Sequence, residues 1–450
     1  MRQNKDYLIT EKPSRALLIF SIPMIIGNLF QQAYTIVDSA IVGRYVGETA
    51  LAAVGASYAL TSIFICIAIG GGIGASVIIS HHFGAHNYGR MKTCIRTALL
   101  SFLFISLILG GVGLIFSQQI MEVLNTPADA IDIAVTYLNI YFLGLPFLFM
   151  YNILSSMFNA LGESRIPLYL LIFSSVLNIF LDLYMVAVLN LGVAGAAYAT
   201  FISQGISAVL SLIIFVVTLQ QLQGKAEGWF SKTEFSDMSR IALPSILQQS
   251  TVSIGMMLVQ SVVNSFGTQI LAGFSAAMRI ESLCVVPMSA IGNAMSSYTA
   301  QNIGAEKEER ISQGYRAGNF MIIVIAVILC FFLEIAHKPL IALFLDNEPS
   351  AQTIVTGESY LKFIGFFFCM IGFKMAVDGI LRGAGAVKVF TIANMVNLTL
   401  RVTIAKFGAP IWGVSIVWYA VPLGWLANFL ISYGYYRTGK WKEAVSKTVD

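Results

Sequence analysis

The sequence predicts an all-α integral membrane protein of twelve transmembrane helices, in two six-helix lobes related by a parallel pseudo-two-fold repeat. Three observations carry this. Hydrophobic residues make up 57% of the 450 and charged residues 11%, where a soluble domain carries about 25% charge; mean hydropathy is +0.78. Apolar stretches long enough to cross about 30 Å of hydrocarbon recur along the whole chain. Finally, the first half reappears in the second at an offset of 220: the run Gly72 to Ala85 (GIGASVIISHHFGA) lines up with Gly292 to Ala305 (GNAMSSYTAQNIGA), and the register holds through Arg90 with Arg310 and Arg96 with Arg316. A period of about half the chain means two homologous lobes, and in a membrane protein such lobes suggest alternating access.

The spans are read at 14–43, 50–81, 94–117, 131–157, 166–187, 192–221, 240–266, 270–301, 317–337, 353–381, 387–406 and 411–436. Each must be helical, because only internal hydrogen bonds satisfy a backbone inside lipid. The first holds Pro23 and Asp38. The second carries the small-residue run Gly70 to Gly74 and ends on His81 and His82. The third follows a basic turn, and the fourth ends at another, Asn159 to Arg165. Asn178 and Asp182 lie in the fifth, and Thr200 in the sixth. The hydrophilic stretch Gln220 to Arg240 then divides the spans six and six, giving lobes at 1–220 and 241–450 joined by a linker at 221–240. Because six is even, the second lobe enters the membrane in the same orientation as the first. The seventh span opens with Pro244 and the eighth ends on Gln301 and Asn302. The ninth is a plain apolar run, the tenth holds Lys374 and Asp378, the eleventh Arg401, and the twelfth runs into a basic tail. A second echo, Asn159 to Arg165 with Arg382 to Lys388 at offset 223, marks the turn between the fourth and fifth spans of each lobe.

Basic residues set the orientation. Of 27 lysines and arginines, Arg44, Lys338 and Lys406 fall on one side and Arg279, Lys362, Lys374 and Arg401 within spans; the other 20, from Arg2 to Lys447, fall on the side of the termini. By the positive-inside rule that side is cytoplasmic, so a multi-pass plasma-membrane protein with both termini inside is expected. The net charge of +4 then reflects topology and gives no support to a nucleic-acid partner. The first apolar run is too long for a cleavable leader. The five cysteines are isolated from one another and read as buried small hydrophobes.

Intramembrane acids are the functional candidates, since a charge at mid-bilayer costs about 2.5–3.5 kcal/mol or more. Asp38 and Asp182 have no cation within a helical turn, and Asn178 shares the Asp182 face. In the second lobe Lys374, Asp378 and Arg382 follow at four-residue steps, so Asp378 is expected to be neutralised on its own helix. Arg279 and Glu281 point to different faces, leaving Glu281 to find a partner elsewhere, with Arg401 a candidate.

With Pro23 and Asp38 in the first span, Asn178 to Asp182 (NIFLD) in the fifth, Gln301 to Ala305 (QNIGA) and Leu381 to Gly385 (LRGAG), the chain resembles the multidrug and toxic compound extrusion (MATE) transporters over nearly its whole length, the DinF/MepA-like members more than NorM. That resemblance implies a V-shaped two-lobe fold and a first-lobe cation site at Asp38, Asn178, Asp182 and Thr200. Oxygen ligands of this kind suit a hard cation such as Na⁺, and the same carboxyls could carry H⁺ instead. Tyr34, Tyr137 and Gln249 are candidate substrate-cavity residues, and Glu281 and Asp378 secondary coupling candidates. The NorM-like branch uses an acid on the seventh span, which here has none.

The implied function is antiport: organic, mostly cationic amphiphiles leave in exchange for Na⁺ or H⁺, from a monomer, without a cofactor. A flippase for a lipid-linked saccharide shares the architecture, but its cavity is expected to be more cationic. The Gly70 to Gly74 run lacks the Lys-Ser/Thr of a phosphate loop and is read as close helix packing; His81 and His82 are read as interfacial, and no catalytic constellation is present. The repeat also fails where the charges are. At the offset of 223 Asp182 faces Ala405 and Asp378 faces Ser155, so the lobes share a scaffold and differ in charge.

Overall fold

The computed structural model describes residues 6–46, 48–124, 126, 130–345 and 350–442; of the basic residues placed above, Arg2, Lys5 and Lys447 lie outside them. All regular structure among these residues is helical. A short α1 (Tyr7–Thr10) precedes α2 (Pro13–Tyr45), α3 (Glu48–Gly84), α4 (Tyr88–Val123), α5 (Ile131–Ala160), α6 (Arg165–Asp182) and α7 (Gly192–Gln220). The second half holds α8 (Lys232–Asn264), α9 (Thr268–Gly304), α10 (Glu308–Ala342), α11 (Ala351–Gly365), α12 (Phe368–Gly383), α13 (Val387–Trp412) and α14 (Ser415–Thr438). Among the described residues, eleven helices are each long and apolar enough to cross a membrane. The tenth expected span is instead a bent pair, α11 and α12, which meet at 52°. At that break Phe367 N–H bonds the Ile364 carbonyl three residues back, at 2.9 Å, a tighter turn than α geometry, and no proline marks it in the sequence.

The repeat is written into the backbone. His86 and Glu306, 220 apart, both adopt positive φ, 54° and 58°, unusual for residues with a side chain. Around them the turns match bond for bond: Asn87 N–H reaches His82 O at 2.9 Å, and Lys307 N–H reaches Asn302 O at 2.8 Å. The second echo is as close. Gly162 and Gly385 sit at φ 80° and 71°, where glycine ends a helix without a Cβ penalty.

The chain forms two compact units, Ile26–Ile246 and Met1–Ile25 with Leu247–Asp450. Their breaks fall inside α2 and α8, each two residues after a proline, Pro23 and Pro244, and outside the hydrophilic linker. The start of α2 accordingly packs in the second-half unit: Ala16, Leu17 and Phe20 join its core with Phe274, Tyr298 and Ile380. Leu8 and Glu11 are clasped there too, with Asn302 Nδ2 donating to Leu8 O at 3.1 Å and Arg310 Nη2 to Glu11 O at 2.5 Å. Correspondingly, the start of α8 packs on α3 within the first-half unit.

The Gly70 to Gly74 run works as expected for close packing. A Cβ on Gly70 would meet the Ile246 backbone at 2.5 Å, on Gly72 the Ser156 Oγ at 2.5 Å, and on Gly74 the Ala242 Cβ at 2.7 Å. Each missing side chain thus lets α8 or α5 approach α3. His82 is 5% exposed and pairs with Glu234 at 3.0 Å, tying the end of α3 to the start of α8. The five cysteines are all free.

Candidate cation site

Helices α2, α5, α6 and α7 of the first-half unit bring together Tyr34, Asp38, Tyr137, Asn178, Asp182 and Thr200. Asn178 and Asp182 stand one turn apart on the inner face of α6, 1% and 0% exposed. With its amide oriented to complementary partners, Asn178 donates to Asp182 Oδ2 and to Tyr34 Oη, both at 2.8 Å, and accepts from Thr200 N–H at 3.1 Å. Asp38 lies within hydrogen-bond reach of Asp182, and Tyr34 and Tyr137 lie in the field of both carboxyls.

Each carboxyl keeps one buried oxygen, Oδ1 of Asp38 and Oδ1 of Asp182, without a hydrogen-bond partner. Neither acid has a salt-bridge partner among the described residues. Two acids facing each other in an apolar bundle need a positive charge or a proton between them, because burying an uncompensated charge is costly. Immediately after Asp182 the helix widens into a π-helical turn, Leu183–Val188. Such turns recur at functional sites, and nothing in the apolar run Leu183 to Val188 announces this one. A water-sized cavity of about 20 Å³ adjoins the group, with Tyr137, Tyr141, Thr200 and Gln204 among its lining residues; it can hold a single water beside the site.

The second-half unit handles its charges differently. Lys374 Nζ meets Asp378 Oδ2 at 3.0 Å on the same face of α12, both buried, and also donates to Asn394 Oδ1 at 3.1 Å. Asp378 Oδ1 accepts from Ser432 Oγ at 2.7 Å. Arg382, expected to share in neutralising Asp378, turns its donors to Asn293 Oδ1 at 2.8 Å and Ser296 Oγ at 3.4 Å. Glu281 is buried while Arg279, two residues earlier, is exposed. Tyr360 donates to Glu281 Oε2 at 2.6 Å; Arg401 acts on Glu281 through its field, without a contact ion pair. Asn394, Ser432 and Tyr360 were not legible as partners, since each lies 20 to 79 residues from the acid or base it binds. Gln249 is half-buried on α8 in this unit, whereas Asp38 and Asp182 belong to the first-half unit.

The MatE family model matches this chain twice, over residues 23–184 and 244–406, beginning at Pro23 and at its repeat partner Pro244. A relative from Bacillus subtilis (strain 168), the probable multidrug resistance protein YpnP, is 32% identical over 95% of this chain and 96% of its own. The FAD transporter of Shewanella oneidensis is 24% identical over 99% of each. Among solved structures, the crystal structure of MATE in complex with MaL6 superposes with a TM-score of 0.91 at 24% identity, covering 99% of this chain and 100% of that one. Both halves of the chain and the span pattern thus converge: this multi-pass membrane protein belongs to the MatE family of transporters and is not an enzyme.

Proposed function

We propose that the protein is a secondary active efflux antiporter that exports organic, mostly cationic amphiphiles in exchange for Na⁺ or H⁺. The observation that carries this reading is the pair of carboxylate oxygens on Asp38 and Asp182 that lack a hydrogen-bond partner, among neighbours that include no basic residue. Asn178 holds Asp182 in place, since the amide gives one N–H to the carboxylate and the other to Tyr34 Oη and turns its oxygen to Thr200 N–H. The oxygens open to a cation are those of the two acids, with the Thr200 hydroxyl beside them. Hard oxygen donors suit Na⁺, and a shared proton would join the same pair.

Loading this site neutralises the pair and removes its demand for a positive charge; a cationic substrate supplies that charge in the other half of the cycle. Competition of this kind couples the two fluxes, as differential binding to two states requires. The helices that pass from one compact unit to the other, α2 and α8, each carry a proline near the passage. There a missing backbone hydrogen bond lowers the cost of bending. The charge asymmetry of the loops supports cytoplasmic termini in the plasma membrane; a Lys225→Cys variant labelled by an impermeant maleimide from outside intact cells would reverse that orientation.

Ethidium efflux from cells tests the site. Asp38→Asn and Asp182→Asn should each reduce it to the background of cells lacking the protein, at unchanged membrane abundance. A double Asn variant that exports at the wild-type rate would sink the reading.

A further inference from the structure

One face of α4 changes character along its length. Its first turns hold the hydrophilic linker: Lys92 Nζ donates to Leu222 O and Gly224 O, both at 2.8 Å, and Thr93 Oγ1 and Thr97 Oγ1 accept from Glu227 N and Ser231 N at 2.9 and 3.0 Å. Arg96 gives one N–H to Gly228 O at 3.4 Å and lies over the Trp229 ring at 4.6 Å. Two turns on, the same face is apolar and uncovered. Leu100, Ser101, Phe104 and Ile105, with Phe230 and Phe235 from the far side, line a cavity of about 270 Å³. That volume is close to the ~300 Å³ at which small-molecule pockets begin.

Trp229 and Phe230 are 74% and 53% exposed, although they sit in an otherwise polar linker. The segment preceding the first long helix does the opposite: Tyr7, Leu8 and Ile9 are all buried. The exposed aromatics therefore do not follow from the repeat. Aromatic rings beside cations at a helix end are the membrane-interface pattern, and an apolar cavity under a basic rim matches the two ends of a phospholipid. Nearby acids leave the rim cationic. Glu234 is paired with His82, and the Glu227 carboxylate sits against Gly89, at the start of α4.

We propose that this groove is a binding site for one anionic glycerophospholipid of the adjoining leaflet. One acyl chain lies between Phe104, Phe230 and Phe235, and the phosphodiester meets the unspent N–H donors of Arg96, with Lys92 behind it. Basic pockets between helices at the membrane surface recognise anionic headgroups in this way. The bound lipid would brace the linker against α4, just before α8 begins.

Native mass spectrometry of the detergent-purified protein, titrated with dioleoyl phosphatidylglycerol or dioleoyl phosphatidylcholine, tests this without any transport assay, so it is independent of the carboxyl site. The wild type should retain one phosphatidylglycerol in preference to phosphatidylcholine. Arg96→Gln should weaken that adduct about fivefold, the factor that about 1 kcal/mol per surface cation supplies toward anionic lipid. Leu100→Trp, which fills the cavity from a lipid-facing position, should remove it, and Phe104→Ala should weaken it by opening the chain site. Equal retention of both lipids, or an adduct indifferent to all three substitutions, would mean ordinary boundary lipid and overturn the proposal.

Discussion

At Asp38, Asp182 and their neighbours the chemistry of a few polar atoms is set by where the helices place them. Asp182 is held by Asn178, which spends one N–H on it and the other on Tyr34. A hydrogen bond to a charged group contributes about 1.5–3 kcal/mol, so Asn178→Ala should weaken cation coupling by roughly one to two decades. Dye efflux measured against Na⁺ concentration and against pH would show it as a shift in half-saturation at unchanged maximal rate. Lys374 and Asp378 are a different case, since each already holds the other's charge. Lys374→Met should destabilise the protein by about 3–5 kcal/mol by stranding a buried carboxylate, while Lys374→Met with Asp378→Leu should recover most of it. Thermal unfolding in detergent reads this directly; a single variant as stable as the double would remove the ion pair from the account. Asp38 and Asp182 were legible as candidates because acids without nearby cations stand out in apolar runs, whereas Thr200 entered only through the family resemblance. The hydrogen-bond partners Tyr360, Ser432 and Glu234, of Glu281, Asp378 and His82, were not legible, because hydrogen bonds spanning 54 to 152 residues leave no local pattern.

At the scale of elements, the repeat was legible because its turns need particular residues. Gly162 and Gly385 end helices in left-handed backbone, and the glycines at 70, 72 and 74 admit neighbouring helices that any side chain would exclude. The break between α11 and α12 was not legible. Gly365-Phe366-Phe367 lacks proline and continues an apolar run, so composition alone reads it as one span. The π turn after Asp182 escaped for the same reason. Two prolines carry a mechanical expectation. Replacing Pro23 or Pro244 with Ala restores a backbone donor and stiffens α2 or α8 where each leaves one unit for the other. Each substitution should lower the maximal efflux rate while leaving substrate affinity and unfolding temperature near wild type. If turnover is unaffected by both, bending at these prolines has no part in the cycle.

For the whole molecule, the two halves are one scaffold used twice with different charge. The first-half unit keeps acids with open oxygens, and the second closes its acids with Lys374, Ser432 and Tyr360. In the proposed cycle the open pair couples an inward cation flux to outward substrate movement. Proteoliposomes loaded with ethidium, with a Na⁺ gradient and a proton gradient imposed in separate experiments, measure that coupling most directly. One of the two gradients should accelerate dye release from wild-type vesicles, and the acceleration should vanish with Asp38→Asn. Release that ignores both gradients, or a gradient response that survives in the Asp38→Asn variant, would contradict the account.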